Sequence, residues 1–509
     1  MDTKMLHYNG LDAACMMEIY DSIWGDSGFQ GHMPAYLRTM RMLDPIMYMQ
    51  TRGIKVDFVG LEQTKKEATE KMNAAQEELN KIAGKVLNVN SPKQLQSYFY
   101  VEKGIAPYYD RKTKNVTTDD LAMARIARGI KGRPGLREAS LVQEIRGYVK
   151  LIGTYLDIEF DADGRMHCSY KLRGTRMGRL SSAKTIYGTG TNNQNLPAEF
   201  KKFLIADEGH FFIELDKRQA EWVVVAFLAQ DANMLDVIQN GRDPHTHTAH
   251  LMFNVDPDLI KREAKLVGSS SDSEYISQQR MSLEGLSGIT GLPRSMSLRQ
   301  CGKKSNHGLN YDEREYTFGL LNEIPQEEAK RIIALYHQIY PNIRENYYKD
   351  VQRDLGRDRT LENCFGRKYH FLEAWSDSLF KSAYSFLPQS TVVDSLNMGI
   401  SDIYEDRRPH MSQIEILGQV HDSTLIQVPD AQLPALHRIV SDCYTALSPD
   451  MTYHGRTFKI ATDMKIGRNW GTFHKDLNPN GMRELELGTN AEKFALSASM
   501  ILGINEDDE

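Results

Sequence analysis

Two aspartates stand where a backbone could hold them rigidly. FFIEL at 211–215 is a compact apolar run ending in Asp216, and IEILGQVHDSTLIQV at 414–428 carries His421-Asp422 between two apolar runs. The second pattern is that of a hairpin with the pair at its tip. Acids held at strand ends and brought together from distant sequence can share divalent cations. Hard Mg²⁺ prefers carboxylate oxygen and keeps positions open for substrate phosphates, and paired metals about 3.5–4 Å apart stabilise both oxygens of a phosphoryl transfer. Either aspartate alone reads more simply as a helix cap or turn residue. A third feature shifts that balance. Arg299, Lys303, His307 and Tyr311 follow one another at four-residue steps in RQCGKKSNHGLNY, so on a helix they form one slowly drifting stripe, each about 6 Å beyond the last. Guanidinium and ammonium suit phosphates, while imidazole and phenol suit a sugar and base. The plainer alternative is an exposed basic helix with two buried rings.

The elements that must carry these groups are partly legible. A helix with a valine-rich buried face follows Asp216, over Glu221 to Ala229. Helical spacing recurs from Met33 to Met49, GIKVD at 53–57 reads as a short strand or turn, and an amphipathic Lys/Glu-rich helix runs from Gly60 to Ala83. Ser91-Pro92 has the cap-then-proline order that starts a helix. Residues 1–33 read as turn-rich with one helical stretch, Leu11 to Trp24. The interval 122–150 is the clearest basic patch, 268–297 a flexible Ser/Gly-rich insertion, and the segment past Trp470 a peripheral tail.

Composition bounds the answer. The 509 residues carry 62 Lys plus Arg against 68 Asp plus Glu, a net charge of −6. The chain is therefore not basic throughout, but local charge decides nucleic-acid binding. Five cysteines without a CxxC pair argue against a disulfide scaffold or a cysteine-rich zinc site and fit a reducing compartment. No apolar run approaches the roughly 20 residues of a membrane span, and MDTKMLHYNG lacks a signal-peptide core. The expectation is a cytoplasmic protein with no membrane partner, in the host cytoplasm if a phage encodes it.

Taken together, the three segments resemble motifs A, B and C of the family A DNA polymerases. Motif A corresponds to Asp216, Gln219 and Glu221; motif B to Arg299, Lys303, His307, Gly308 and Tyr311; motif C to Gln419 through Asp422. GRLSS at 178–182 with QNLP at 194–197, the stretch from Asn240 to Ala249, SPKQL at 91–95 and the segment Gly467 to Trp470 extend the likeness over roughly 30 to 474. The resemblance implies an α+β right-hand polymerase fold with an antiparallel-sheet palm, helical fingers and a helical thumb. It divides the chain into a remnant of a 3′–5′ exonuclease domain (1–33), palm (34–53, 151–222 and 381–474), thumb (54–150), fingers (223–380) and a C-terminal tail (475–509).

The implied activity is template-directed addition of dNTPs to a primer 3′-hydroxyl in DNA replication. Asp216 and Asp422 would hold two Mg²⁺. Arg299 and Lys303 would bind the triphosphate, with Lys303 also a candidate proton donor, and His307, Tyr311, Gln219 and Glu221 would complete the dNTP pocket. Glu221 would exclude a ribose hydroxyl, which argues against the nearest rival, a single-subunit RNA polymerase. A catalytically silent DNA-binding protein is the rival from another class. Arg179, Gln194, Gln389 and His421 would touch the primer-template, and Arg125, Arg128, Lys131 and Arg133 would grip its backbone. HTHTAH (His245, His247, His250) matches the start of the fingers rather than a metal site.

Departures carry their own expectations. His307 replaces the usual motif B aromatic and Asp312 the usual glycine after Tyr311. Lys217 and Arg218 should favour ionised Asp216. His7-Tyr8 to Asp12 resembles the last exonuclease motif without its upstream carboxylates, so this chain alone is expected to lack that activity, its proofreading domain being absent or encoded on a separate chain; a separate exonuclease chain or a processivity factor is a candidate partner. The wording KKSNHGLNY suggests a phage source.

Overall fold

The apolar run around FFIEL becomes the middle of a five-stranded antiparallel sheet in this computed structural model, which describes residues 3–110, 113–130, 133–268, 270, 273–286, 289 and 291–504. Its strands are β1 (His210–Lys217), β2 (Glu415–Val420), β3 (Ser423–Pro429), β4 (Thr462–Gly467) and β5 (Arg483–Glu484), in the order β2-β3-β1-β4-β5. Side chains alternate along a strand. Phe211, Ile213 and Leu215 therefore enter one core, which they share with Ile426, Val428 and Ile466, while Phe212 enters another with Leu204, Leu425 and Trp470. Glu214 and Asp216 share the face of Phe212, and Lys217 takes the opposite one.

Helices surround this sheet in two further groups. On one side α1 (Phe58–Ala83), α2 (Asp120–Arg128) and α3 (Arg137–Lys150) enclose a core of their own around Leu79, Phe99, Met123 and Leu141. Asp57 caps α1 by accepting from Gly60 N, and Ser91 caps the helix that Pro92 begins. At the junction with the sheet, Ile54–Val56 pairs with Arg165–Met166 and Leu204–Ile205.

On the other side α4 (Ala220–Ala229), α5 (Pro244–Phe253), α6 (Leu298–Gly308) and the first part of α7 (Asp377–Glu405) pack into the largest core, with Trp222, Tyr336, Tyr340 and Phe386 inside. Helices α5 and α6 approach closely at Gly302, where a Cβ would stand 2.2 Å from the His245 carbonyl.

Three expectations change. Residues 3–25 form one helix rather than a turn-rich stretch with a short helical piece, the turn-favouring Asn9-Gly10 pair being taken into it with no proline to stop it; none of its residues is buried. The 268–297 segment contains a helix, Ser273–Met281, whose Arg280 is buried and bound. Its guanidinium donates to Glu263 Oε1 at 2.9 Å and to the Met296 carbonyl at 2.9 Å, while Glu263 Oε2 accepts from Leu298 N at 2.9 Å. Those bonds tie the segment to the start of α6. Residues 475–504 are not a peripheral tail: β5 joins the main sheet, and α8 (Ala491–Leu502) buries Phe494, Ala498 and Leu502 against its core. Among the described residues no helix is long and apolar enough to cross a membrane.

Candidate active site

Register decides where the two aspartates meet. Asp216 pairs with Ser423 on β3 and with Asp463 on β4, and Asp422 immediately precedes Ser423 at the hairpin tip. The Asp422 carbonyl also accepts from Lys217 N at 3.1 Å. His421 supports the tight turn with φ 52°. Asp216, Asp422 and His421 line a cavity of about 500 Å³ with Gln219, Glu221, Lys303, His307 and Tyr311. Residues from the two strands and from α6 thus converge on one space.

The electrostatics of the pair are those of crowded acids. Asp216 opens onto the cavity, yet the protein packed around it, then Glu214 and Asp422, push its pKa up to about 6. The expected help from Lys217 and Arg218 is absent. Strand alternation sends Lys217 to the other face, where its ammonium donates to the Leu447 carbonyl and burial pulls its pKa down to about 7, and Arg218 is engaged with Asp463. Burial also raises the Asp422 pKa, with Arg179 opposing and Glu221 adding to the effect. Asp422 Oδ1 is buried and accepts no hydrogen bond among the described residues, with Arg179 Nη2 3.7 Å away. An orphaned carboxylate oxygen in an acid-rich cavity fits a hard divalent cation.

Glu221 is held at both oxygens. Arg179 Nη2 donates to Oε1 at 2.6 Å, and the Tyr311 hydroxyl donates to Oε2. Tyr311 sits in a 3-10 turn, Leu309–Tyr311, that finishes α6. Asp312 then adopts φ 57°, the left-handed region where glycine has no steric cost and Asp is tolerated. Arg344 lies 3.5 Å from its carboxylate.

The helix stripe is split. Lys303 and His307 reach the cavity, whereas Arg299 is bound to Asp243, Nε to Oδ2 at 2.9 Å and Nη2 to Oδ1 at 3.2 Å. Asp243 also accepts from Gln219 Nε2 at 3.2 Å and caps α5 through Thr246 N at 3.0 Å. Burial acts to raise the Asp243 pKa, but the bonds from Thr246 and Arg299 outweigh it and hold the group below its usual value. Burial lowers the His307 pKa, with Glu221 opposing.

Asp243 was not singled out from the sequence. Its signal was present as an Asp-Pro start to a helix with Thr three residues on.

The nucleic-acid candidates distribute unevenly. Gln194 Nε2 donates to Gln419 Oε1 at 3.1 Å, and Gln419 Nε2 to the His421 carbonyl, so the QNLP segment braces the hairpin tip. Gln389 lies half-buried on α7 and does not line the cavity. Arg125 and Arg128 instead line a separate cavity of about 1270 Å³ facing residues 315–331. There Arg128 Nη2 meets Glu323 at 2.9 Å and Arg125 stands at 4.0 Å from it. Lys131 lies outside the described residues, as does the Arg133 side chain. His245 Nδ1 is bonded to Asn306 Nδ2 at 3.1 Å and His250 Nδ1 to the Val255 carbonyl at 2.8 Å. Among the described residues no group of three or more His, Cys, Asp or Glu is arranged to hold a metal ion.

Comparison with known proteins places this geometry. A family model described as DNA polymerase family A matches residues 59–267 and 289–472. The chain is 26% identical over 486 residues to the thermostable DNA polymerase I of Thermus aquaticus, covering 91% of this chain and 51% of that protein. It is 26% identical over 499 residues to DNA polymerase I of Rhizobium leguminosarum, covering 92% and 44%. The chain thus spans about half the length of these curated relatives. The POL domain of Pol1 from M. smegmatis, solved in complex with DNA primer-template and dNTP, superposes with a TM-score of 0.67 at 22% identity, covering 85% of this chain and 70% of that one. At that identity the likeness is one of fold.

Proposed function

The chain belongs to DNA polymerase family A, and from that premise we propose that it extends a primer 3′-hydroxyl with dNTPs under template direction, in DNA replication. The observation that carries the reading is the convergence of Asp216 and Asp422, from adjacent strands, with Lys303, His307 and Tyr311 on one cavity. The sheet with its flanking 34–53, 151–222 and 381–474 segments would serve as palm, the 54–150 helices as thumb and 223–380 as fingers.

The orphaned Oδ1 of Asp422 and the open carboxylate of Asp216 would hold two Mg²⁺, with remaining positions left to water and phosphate. Bound there, such ions supply activation of the primer hydroxyl and neutralisation of charge on departing pyrophosphate. The chain's own residues do the rest by position and charge. Lys303, which has no ion pair among the described residues, would neutralise the triphosphate and donate a proton to the leaving group. Arg299 would join it by exchanging Asp243 for phosphate. Glu221, fixed by Arg179 and Tyr311, would crowd a 2′-hydroxyl and so select deoxynucleotides. His421, braced through Gln419 and Gln194, would meet the primer end, and Arg179 the minor groove, where acceptors are nearly degenerate and geometry can be tested without reading sequence.

A phage source is supported by the wording of the α6 motif; the relatives named above come from Thermus aquaticus and Rhizobium leguminosarum. Primer extension tests the proposal. Wild type should extend with dNTPs and discriminate strongly against rNTPs, and Asp216→Asn should not extend. Equal use of rNTPs, or an active Asp216→Asn, would refute it.

A further inference from the structure

A second cationic pole lies on the far side of Asp216 from α6. The catalytic cavity continues into a neighbouring one of about 610 Å³, and Lys201, Glu214 and Lys465 line both. Glu214 shares the face of Asp216 on β1, and Lys465 is its cross-strand partner on β4. Glu214 is already committed, accepting from Trp470 Nε1 at 2.9 Å with Lys465 Nζ at 3.9 Å. Lys201 is half-buried, and its ammonium lies over the Trp470 ring at 4.3 Å from the centroid. It has no hydrogen bond or ion pair among the described residues. Farther along the trough Arg483 stacks on Phe473 at 3.7 Å, with a buried Nε that has no partner among the described residues.

Glu214 is the carboxylate that acts most on Lys201, but it is taken by Trp470 and Lys465, so a half-buried ammonium that no carboxylate contacts gains from a ligand anion. The chemistry of that ligand follows from what remains free. Lys201 covers the Trp470 ring and Arg483 the Phe473 ring, so a base finds no free platform there, and the cations Lys201, Lys465 and Arg483 outnumber the carboxylates Glu214 and Glu484 along the trough. Such a trough fits a phosphodiester rather than a base. It reaches Leu196 and Trp470, which belong to the core shared with Leu61 and Ala68 of α1, and no residue of α6 lines it.

We propose that Lys201, held over Trp470 and seconded by Lys465, is a subsite for the backbone phosphates next to the primer 3′ end. This rests on the polymerase reading and deepens it. Two cationic poles then flank the acid pair, α6 for the incoming triphosphate and the Lys201 trough for the strand being extended, so Lys201 is a positioning residue for the attacking hydroxyl.

The test uses the full chain, Lys201→Gln, Lys201→Arg, and primers whose last two phosphodiesters are replaced in turn by neutral methylphosphonates. Loss of one phosphate contact should weaken primer-template binding about tenfold at roughly 0.1 M salt and lower the slope of log Kd against log salt by about one. Lys201→Gln should show both effects with the KM for dNTP unchanged, and Lys201→Arg should restore them. One methylphosphonate should bring wild type to the level of Lys201→Gln and cost that variant nothing more. Fully additive losses, or an unchanged salt slope in Lys201→Gln, would overturn the subsite while wild-type extension left the polymerase reading standing. The methylphosphonate series on wild type decides the matter even if the glutamine variant misfolds: tolerance of both neutral linkages overturns the subsite. Failure of wild type to extend any primer would remove the polymerase reading itself.

Discussion

Strands β1 and β3 and helix α6 present groups to one cavity, but they hold them differently. Asp216 and Asp422 are placed by a hydrogen-bonded ladder whose register cannot slip without turning Phe211, Ile213 and Leu215 out of the core. Burial and neighbouring acids raise both pKa values, with Lys465 opposing at Asp216 and Arg179, 3.7 Å away, opposing at Asp422. On α6 the order is reversed. Arg299 is engaged by Asp243, and Tyr311 by Glu221, so protein carboxylates already meet these groups. The sheet supplies position and leaves charge uncompensated; the helix compensates charge and leaves position to be completed on binding. Only Lys303 on the stripe keeps an unpaired charge facing the acids.

The sharpest break of that contrast removes charge from the strands. Asp216→Asn and Asp422→Asn should each slow single-turnover incorporation by on the order of 10³-fold or more, with primer-template Kd changed by less than about twofold. Rapid-quench kinetics on both variants would show whether the acids act as one unit, and a tenfold effect in either would separate them. On the helix side, Lys303→Ala should cost roughly 10²-fold in the same step. Arg299→Ala should act mainly on dNTP affinity, because this side chain must first leave Asp243. A larger effect on the step from Arg299 than from Lys303 would reverse the order inferred for the stripe.

Asp243 tests the helix's compensation directly. Asp243→Ala frees Arg299 and removes the cap of α5, so it should lower stability by about 1 kcal/mol in equilibrium denaturation while Arg299→Ala leaves the cap intact. The smallest effect concerns the strand acid's own titration. The folded-state pKa of Asp216 lies above its ordinary 3.8, at about 6, so the fold gains stability as pH falls from above 6 toward 4. Without divalent ions, Asp216→Asn should flatten that dependence and be the more stable protein at pH 7, by no more than about 1 kcal/mol because the open cavity screens the charge. A variant less stable than wild type at pH 7 would contradict the crowding argument.

The acid pair was legible because both aspartates lie beside apolar strands, and the stripe because its four-residue spacing is the helix repeat. Lys217 misled because adjacency in sequence is opposition across a strand, which sends its charge away from Asp216. Asp243 caps α5, which its Asp-Pro start allows; that it also holds Arg299 depends on α5 and α6 meeting at Gly302, a contact between segments more than fifty residues apart. The Ser/Gly character of 268–297 outweighed its one decisive residue, Arg280, whose partner Glu263 lies on the preceding helix. The C-terminal stretch hid its role because β5 is two residues long and gains its meaning only from β4.

Manganese binding followed by electron paramagnetic resonance tests the central claim most directly. In a ternary complex with dideoxy-terminated primer-template and the next dNTP, wild type should hold two ions at the acid pair, one of them shared with the dNTP phosphates. Asp216→Asn and Asp422→Asn should each lose at least one. The same stoichiometry and affinity in all three proteins would contradict the joint role assigned to these carboxylates.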